Sequence, residues 1–411
     1  MQTESYIQSL FAERIGGSGF GKDTRVYKFE KIKRAKAAAR EAHPDISLLD
    51  FGVGEPDEMA YPIVRDALKK EVDEHGNRDY ADNGIPEFKE AAAAYLKNVY
   101  KVDVNPEDEV LHAIGSKSAL SMMPSAFVNP GDVVLMTVPG YPVFGTHAGW
   151  YGGEVHNLQL REENGFLPDL ETIDSELLDR TKAIVVNYPN NPTGAVATPQ
   201  FFEKLVQMAN DHQFIVIQDA AYAALSFAPT PLSFLSVDGA KDVGVEIHSM
   251  SKAFNMTGWR LAFVAGNPLI VSAFANVKDN YDSGQFKAVQ KASAVALAHP
   301  EITEEIKTKY KRRLQGLCEV LGSVGFNATM PRGTFYLYVR IPKATESGTE
   351  FETAEDVSQY LIREKLISTV PWDDVGNYIR FSATFEAAGE QAEKEILEEL
   401  GRRLKSIGLV F

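Results

Sequence analysis

A lysine lies between hydroxyl side chains and an arginine in the segment Ser249-Met250-Ser251-Lys252, which is followed by Arg260. Serine hydroxyls and a guanidinium can bind a phosphate group, and a lysine amine can condense with an aldehyde to form a Schiff base. Alone, Lys252 would be an ordinary solvated lysine at a strand–helix junction. With these neighbours, it predicts an amine held for covalent chemistry beside a phosphate site.

Two predicted turns that precede this segment in the sequence also carry residues suited to the same site. Gly115-Ser116-Lys117 opens a predicted helix, where free backbone N–H groups and the positive helix end favour a phosphate. Tyr141 stands in a Pro-Gly turn directly after the strand-like run Val133–Val138. Each turn alone is also typical of an ordinary loop between a strand and a helix.

Two further segments place polar side chains directly after predicted strands. Asn191 stands in Asn-Pro-Thr-Gly after the run 183–186, and Asp219 and Tyr222 follow the run 214–217. A carboxylate at the carboxyl end of a parallel strand lies where α/β proteins form their binding sites. A tight loop and a helix cap are the simpler alternatives for these two segments.

The elements that would position these residues alternate between strand and helix. This alternation predicts an α/β core with a mainly parallel sheet flanked by helices. Pro199–His212 is a helix candidate because its apolar residues recur at helical spacing. The strand-like runs are Val133–Val138, 183–186, 214–217, 243–247 and 261–265.

The chain divides into three predicted parts. Residues 51–295 form the large domain, and residues 296–411 form a smaller α+β domain with two long charged helices, at 301–321 and 390–407, and two short strands, at 335–341 and Tyr378–Ser382. Residues 1–50 contain a helix at 29–41, are too short for a domain and should pack on the small domain.

Composition excludes several classes of function. The 411 residues carry a formal net charge of −15, which argues against a general nucleic-acid or anionic-membrane surface. The N-terminus lacks the pattern of a signal peptide, and apolar runs are too short for a membrane helix, so we expect a cytoplasmic protein. Cys318 is predicted to be a buried structural thiol, and no metal site is predicted.

Taken in order, the motifs Gly-Ser-Lys, Tyr, Asn-Pro-Thr-Gly, Asp-x-x-Tyr, Ser-x-Ser-Lys and Arg resemble those of fold-type I enzymes that use pyridoxal 5′-phosphate (PLP), and class I/II aminotransferases in particular. The resemblance implies a Schiff base between PLP and Lys252, Asp219 beside the ring nitrogen, Tyr141 stacked on the ring, and Asn191 and Tyr222 at the 3-oxygen. It also implies a set of residues near the phosphate: Ser116, Lys117, Ser249, Ser251 and Arg260.

The same resemblance extends to substrate and partner. Gly54, in Gly-Glu-Pro-Asp, would let the backbone approach the substrate carboxylate, and Arg380, in a strand, would bind it. Tyr80 corresponds to a tyrosine that reaches the cofactor phosphate of the neighbouring subunit. A homodimer with shared active sites is therefore expected, acting by a ping-pong exchange between amino acids and 2-oxo acids.

Two N-terminal segments, 9–15 and 27–32, resemble those of LL-diaminopimelate aminotransferases, a branch of this family. Lys117 could then bind the distal carboxylate of a dicarboxylic substrate. A substrate-contacting tyrosine of that branch is replaced here by Ser9, with Tyr6 nearby, and Ser283 is a candidate for a contact across the dimer. The alternative is an N-terminal arm that only packs on the small domain.

Other activities share these motifs. The PLP core does not distinguish LL-diaminopimelate:2-oxoglutarate transamination from aspartate or aromatic aminotransferase activity, or from a PLP-dependent β-lyase. A non-catalytic sensor would need an attached DNA-binding module. The loop-rich segment before Gly54 is too short for one, and the chain is acidic.

Overall fold

The computed structural model describes residues 6–22 and 28–411, so Tyr27 of the second N-terminal segment lies outside the described residues. Its strands are β1 (Leu49–Asp50), β2 (Val110–Ala113), β3 (Val133–Val138), β4 (Glu154–Gln159), β5 (Thr181–Asn187), β6 (Ile215–Asp219), β7 (Gly244–Ser249), β8 (Ala262–Gly266), β9 (Tyr336–Arg340), β10 (Ala344–Thr345), β11 (Ile367–Ser368), β12 (Val370–Trp372), β13 (Tyr378–Ser382) and β14 (Leu409–Val410).

Helices separate most of these strands. They are α1 (Lys28–Ala42), α2 (Pro62–Val72), α3 (Pro86–Tyr95), α4 (Ser116–Met122), α5 (Pro124–Phe127), α6 (Val143–Trp150), α7 (Ser175–Asp179), α8 (Pro199–His212), α9 (Ala240–Val243), α10 (Met250–Ala253), α11 (Pro268–Lys278), α12 (Lys287–Leu297), α13 (Glu301–Ser323), α14 (Ala354–Lys365) and α15 (Glu390–Lys405). A π-helical turn, Leu96–Tyr100, extends α3.

The central sheet has seven strands in the order β2-β8-β7-β6-β5-β3-β4. β4, β3, β5, β6 and β7 are parallel, and only β8 runs antiparallel to both of its neighbours, β7 and β2. Every residue of β7 and β8 is buried, as expected for sheet strands covered by helices on both faces. The predicted α/β fold with a mainly parallel sheet is confirmed.

The helix predicted at Pro199–His212 has the same bounds in the structure. Thr198 caps it, since its side chain accepts a hydrogen bond from the Phe201 N–H, and Pro199 occupies the first turn, where a missing N–H costs nothing. Gln213 ends it in the left-handed region, with φ 59°. The apolar face of α8, including Phe202 and Leu205, is buried in the main core.

Two strands of the central sheet were not predicted from the sequence. β4 is an edge strand whose residues are mostly exposed and polar, so it has no apolar run. β2 has only four residues, and one of them is His112. Periodicity detects a strand where burial demands a run of apolar side chains, so exposed β4 gives no signal. All four residues of β2 are buried, but the strand is short and His112 interrupts its apolar run.

A second, three-stranded antiparallel sheet has the order β12-β13-β9 and carries Arg380 in its middle strand. α1 packs against α14, and β1 pairs with β11, so residues 28–50 contact the C-terminal part of the chain. The boundary predicted at residue 295 falls inside α12, which packs against α2 and α3. The domain limits therefore stay a prediction.

Cys318 lies on α13, half-buried against the main core, and burial raises the pKa of its thiol to about 11. A thiol with this pKa is almost fully protonated at neutral pH, which fits the predicted structural role. Among the residues that the structure describes, no helix is both long enough and apolar enough to cross a membrane.

Candidate active site

A cavity of about 350 Å³ lies at the carboxyl ends of β5, β6 and β7. The last residue of each strand lines it: Asn187, Asp219 and Ser249. Predicted site residues from distant parts of the chain meet here, as expected for this edge of a parallel sheet. They are Gly54, Ser116, Lys117, Tyr141, Asn191, Asp219, Tyr222, Ser249, Ser251, Lys252, Arg260 and Arg380.

Lys252 lies on α10, the short helix that follows β7. Its Nζ donates a hydrogen bond to the backbone carbonyl of Gly54 at 2.9 Å. Burial lowers the pKa of the lysine to about 8; nearby Glu55 opposes this shift, and Arg260 and Arg380 add to it. About a tenth of the amine is therefore neutral at pH 7 and about half at pH 8, and the neutral form is the one that a nucleophile or general base needs.

The lowered pKa of Lys252 predicts how its reactivity depends on pH. Reductive methylation of this amine in the PLP-free protein should reach half its maximal rate near pH 8, because only the neutral amine attacks formaldehyde. Exposed Lys69, followed by mass spectrometry in the same sample, is the internal control. A Lys252 midpoint near the ordinary lysine value of about 10.4 would contradict the structure.

Asp219 is a buried carboxylate at the end of β6, 5% exposed. Its Oδ1 accepts a hydrogen bond from the Ala221 N–H at 3.1 Å. Burial raises the pKa of the carboxyl group to about 6, although this hydrogen bond and His248 favour the anion. A buried carboxylate in this state is stabilised by a cation placed against it, such as a protonated ring nitrogen.

Arg380 lies on β13, 3% exposed. Its Nη1 donates to Asn191 Oδ1 at 2.8 Å, and its Nη2 donates to the Gly52 carbonyl at 3.1 Å. Its buried Nε has no hydrogen-bond partner among the described residues. A guanidinium held in this way can still bind a carboxylate in the cavity.

Arg260 forms the cationic end of the cavity together with the turn before α4. Its Nη1 lies 3.5 Å from Ser251 Oγ and donates to the Thr257 carbonyl at 2.8 Å. A side chain at Gly115 could not fit, since its Cβ would lie 2.2 Å from Arg260 Nη2, and the backbone there has φ +80°. This glycine allows the guanidinium to approach the turn at Ser116, as an anion site requires.

Ser249 has a structural role as well as a place in the cavity wall. Its Oγ accepts a hydrogen bond from the Ser251 N–H at 3.2 Å and so caps α10. Its hydroxyl proton can still be donated to a ligand.

Tyr80 is the predicted site residue that the structure does not bring to this cavity. It lies on the loop before α3, and its side chain is 81% exposed. Its predicted contact in a neighbouring subunit stays a prediction.

Ser283 lies on a segment that packs closely against the loop of Tyr80. The neighbouring Gly284 shows how close the packing is, since a Cβ there would lie 2.5 Å from Asp82 N. Tyr6 is 77% exposed, and Ser9 Oγ donates to its carbonyl at 2.7 Å.

Sequence reasoning missed several residues of the cavity wall. Asn187 could have been found, because it directly follows the predicted strand 183–186 at the edge where the site forms. Tyr336 could not, because it begins β9, far along the chain from the other motifs, and no local pattern marks it. The missed residues are Glu55, Asn187, Ala221, Thr257 and Tyr336.

A second cavity of about 620 Å³ shares wall residues with the first and extends towards Trp372 and Asp374. The shared residues are Lys117, Tyr141, Asn191 and Arg380. Together the two cavities offer a reactive amine, an anion site, a buried carboxylate and a carboxylate-binding guanidinium, with room for a longer ligand beyond Lys117.

Comparison with known proteins gives consistent matches. The family model "Aminotransferase class I and II" matches residues 46–397. The chain is 60% identical to a protein of Methanocaldococcus jannaschii named LL-diaminopimelate aminotransferase, over 99% of this chain and all of that one. Among solved structures, substrate-bound BacF of Bacillus subtilis has a TM-score of 0.88 at 33% identity, covering 98% of each chain. A single mutant of Thermus thermophilus aspartate aminotransferase has a TM-score of 0.83 at 26% identity, covering 96% of this chain and 99% of that one.

Proposed function

The chain belongs to the class I and II aminotransferases, and from this membership we propose that it transfers an amino group from LL-diaminopimelate to 2-oxoglutarate in lysine biosynthesis. The proposal depends on the 60% identity, over nearly the full length, to the Methanocaldococcus jannaschii protein named LL-diaminopimelate aminotransferase. The second cavity supports it, because a seven-carbon substrate with a charged group at each end needs space beyond the reacting end.

The cofactor in this proposal is PLP, and the side chains of the first cavity fit it. Arg260 supplies a cation for a phosphate, and the buried Asp219 carboxylate supplies an anion for a ring nitrogen. When bound, PLP supplies an electron sink that makes the Cα–H bond of an amino acid acidic. The residues that would hold it are Ser116, Lys117, Tyr141, Asn191, Asp219, Tyr222, Ser249, Ser251, Lys252 and Arg260.

Lys252 has two tasks in this mechanism. Its neutral amine would hold the cofactor covalently, and as a free amine it would be the base that accepts the proton from the substrate Cα. The pKa of about 8 suits both tasks, since the amine gains and loses a proton near neutral pH. Its hydrogen bond to the Gly54 carbonyl holds Nζ at the loop that contains Gly54.

Arg380 would bind the α-carboxylate and orient the Cα–H bond. Its contacts to Asn191 and Gly52 fix the plane of the guanidinium before a ligand arrives, which reduces the entropy lost on binding. Lys117 lines both cavities, which supports its proposed contact with the distal carboxylate of diaminopimelate.

The proposal includes a cytoplasmic homodimer in which Tyr80 of one subunit reaches the phosphate site of the other. Its support is the exposure of Tyr80 on an anchored loop. Buried Lys278 holds that loop, since its Nζ donates to the Asp82 carbonyl at 2.5 Å and to Asp282 Oδ1 at 2.6 Å.

A donor panel tests the substrate, with Lys117→Met as the informative variant. LL-Diaminopimelate and L-lysine differ only in the distal carboxylate. Loss of one charge-assisted hydrogen bond, about 1.5–3 kcal/mol, should therefore lower kcat/KM for LL-diaminopimelate roughly 10- to 100-fold. The value for L-lysine should fall by a smaller factor, which reports the contribution of Lys117 to cofactor binding alone. Retention of PLP, followed by its visible absorbance, controls for a cofactor effect.

Wild-type enzyme that leaves LL-diaminopimelate untouched but converts aspartate or aromatic amino acids would overturn the proposed substrate. Equal losses for LL-diaminopimelate and L-lysine would overturn the proposed role of Lys117 at the distal carboxylate but not the proposed substrate. Formation of pyruvate and ammonia from the donor would identify a β-lyase.

A further inference from the structure

Tyr336 lies in the wall of the first cavity and contacts both Tyr222 and Arg380. It is 1% exposed and begins β9, which pairs with the strand that carries Arg380. Its hydroxyl oxygen lies 3.1 Å from the Tyr222 hydroxyl oxygen. The face of its ring lies against Arg380, with the guanidinium carbon 4.0 Å from the ring centroid. One side chain thus contacts two predicted site residues with different tasks.

The backbone around Tyr336 fixes the side chain in this position. Its N–H donates to Thr334 Oγ1 at 3.0 Å, and the neighbouring Phe335 ring packs edge-on against Tyr222. A Cβ on Gly54 would lie 2.6 Å from the Tyr336 hydroxyl oxygen. The hydroxyl group therefore lies directly against the loop whose carbonyl accepts the Lys252 hydrogen bond.

We propose that Tyr336 is a positioning residue for the cofactor and the substrate: its hydroxyl donates to Tyr222 and directs the Tyr222 proton to the cofactor 3-oxygen, while its ring face holds Arg380 for the substrate carboxylate. This inference rests on the proposed PLP-dependent function. It assigns to one buried tyrosine an effect on the cofactor and a separate effect on carboxylate binding.

Either hydroxyl can donate in this pair, and the proposal assigns the donor role to Tyr336. Tyr222 has a single proton, and accepting a bond leaves that proton available for a ligand. Burial raises the pKa of Tyr222 well above its usual range, so Tyr222 is a neutral donor. A hydroxyl that accepts a hydrogen bond becomes a stronger donor in the next one, so the Tyr336 contact should strengthen donation by Tyr222.

Tyr336→Phe removes the hydroxyl and keeps the ring, so it tests the cofactor effect. A weaker Tyr222 hydrogen bond leaves the 3-oxygen more basic. The pH midpoint of the visible absorbance of the PLP-loaded enzyme should then rise by roughly 0.5–1 unit, the equivalent of one lost hydrogen bond. A midpoint that falls would mean that Tyr222 donates to Tyr336, and an unchanged midpoint would mean that the hydroxyl has no effect. Either result overturns the assignment.

Tyr336→Leu removes the ring as well, so it tests the contact with Arg380. KM for LL-diaminopimelate should rise about fivefold or more in Tyr336→Leu and change by less than about twofold in Tyr336→Phe, in line with a desolvated cation–π contact. Equal KM values in the two variants would overturn the role of the ring. If wild-type enzyme does not convert LL-diaminopimelate, the comparison is made with aspartate, so failure of the substrate proposal leaves this test intact.

Tyr338→Phe is the matched control. Tyr338 also lies on β9 and has a buried hydroxyl, but its ring stacks on Tyr378 and lies outside the wall of the first cavity. The control should leave both the absorbance midpoint and KM at wild-type values. If Tyr338→Phe shifted the absorbance midpoint as far as Tyr336→Phe, the shift would result from a general disturbance of β9, and the proposal would be overturned.

Discussion

Lys252→Ala is expected to lower transamination at least about 10⁴-fold. The variant lacks the amine that is proposed to bind the cofactor covalently and to act as the general base, and a general base alone contributes about 10²–10⁴-fold. The fold should survive, because the main loss to the protein is one hydrogen bond to the Gly54 carbonyl, with a cost of about 1–3 kcal/mol. Initial rates and thermal unfolding of the purified variant measure both effects.

Lys252→Arg is the matched control, since it keeps a cation at this position but supplies no neutral amine. It should be as inactive as Lys252→Ala. Borohydride reduction of wild-type enzyme should fix PLP to the peptide that contains Lys252 and to no other. A Lys252→Ala variant that retains more than about a tenth of the wild-type rate would show that another group performs the chemistry.

Asp219→Asn should have effects of opposite sign on activity and on stability. Asp219 is proposed to lie opposite the ring nitrogen of the cofactor, where loss of its charge would weaken the electron sink. We expect kcat to fall about 10²–10³-fold, in the range for removal of a key electrostatic group. Asp219→Glu, which keeps the charge, should lose less. Stopped-flow measurement of the amino-donor half-reaction gives the rate without a contribution from the acceptor.

The PLP-free protein should become more stable in the same variant. The pKa of Asp219 is raised from 3.8 to about 6 in the fold, so stability falls as pH rises between these values, and the whole penalty applies above about pH 6. At 1.36 kcal/mol per unit, removal of the charge should stabilise the PLP-free protein by up to about 3 kcal/mol at pH 8. Asparagine can still accept the Ala221 N–H bond. Denaturant unfolding with equal or lower stability for the variant would contradict this environment for Asp219.

Sequence patterns were sufficient to predict the position of a side chain where one local segment contained both a strand and a reactive residue at its end. Lys252 follows a strand whose residues are all buried, and Asp219 ends another, so apolar runs located both side chains at the same sheet edge. Arg380 could be assigned because its strand keeps the motif of the family. The cavity wall brings these residues together with the other predicted ones, while their tasks remain proposals.

Features that depend on tertiary packing could not be predicted. Tyr336 enters the cavity because β9 pairs with β13, and a single sequence does not show which strands pair. The pKa of about 8 for Lys252 depends on its burial and on Arg260 and Arg380, which lie at different points of the chain. The contact proposed for Tyr80 lies in a second subunit, and a single sequence does not show which surfaces meet in a dimer.

The most direct test is the amino-donor half-reaction followed by absorbance. LL-Diaminopimelate, added to PLP-loaded enzyme without an acceptor, should bleach the visible cofactor band, and 2-oxoglutarate should restore it, because the amino group is held on the cofactor between the two half-reactions. A band that LL-diaminopimelate leaves unchanged, but that aspartate or phenylalanine bleaches, would show that the chain is an aminotransferase with another substrate. A band that no amino donor changes would contradict the enzymatic function itself.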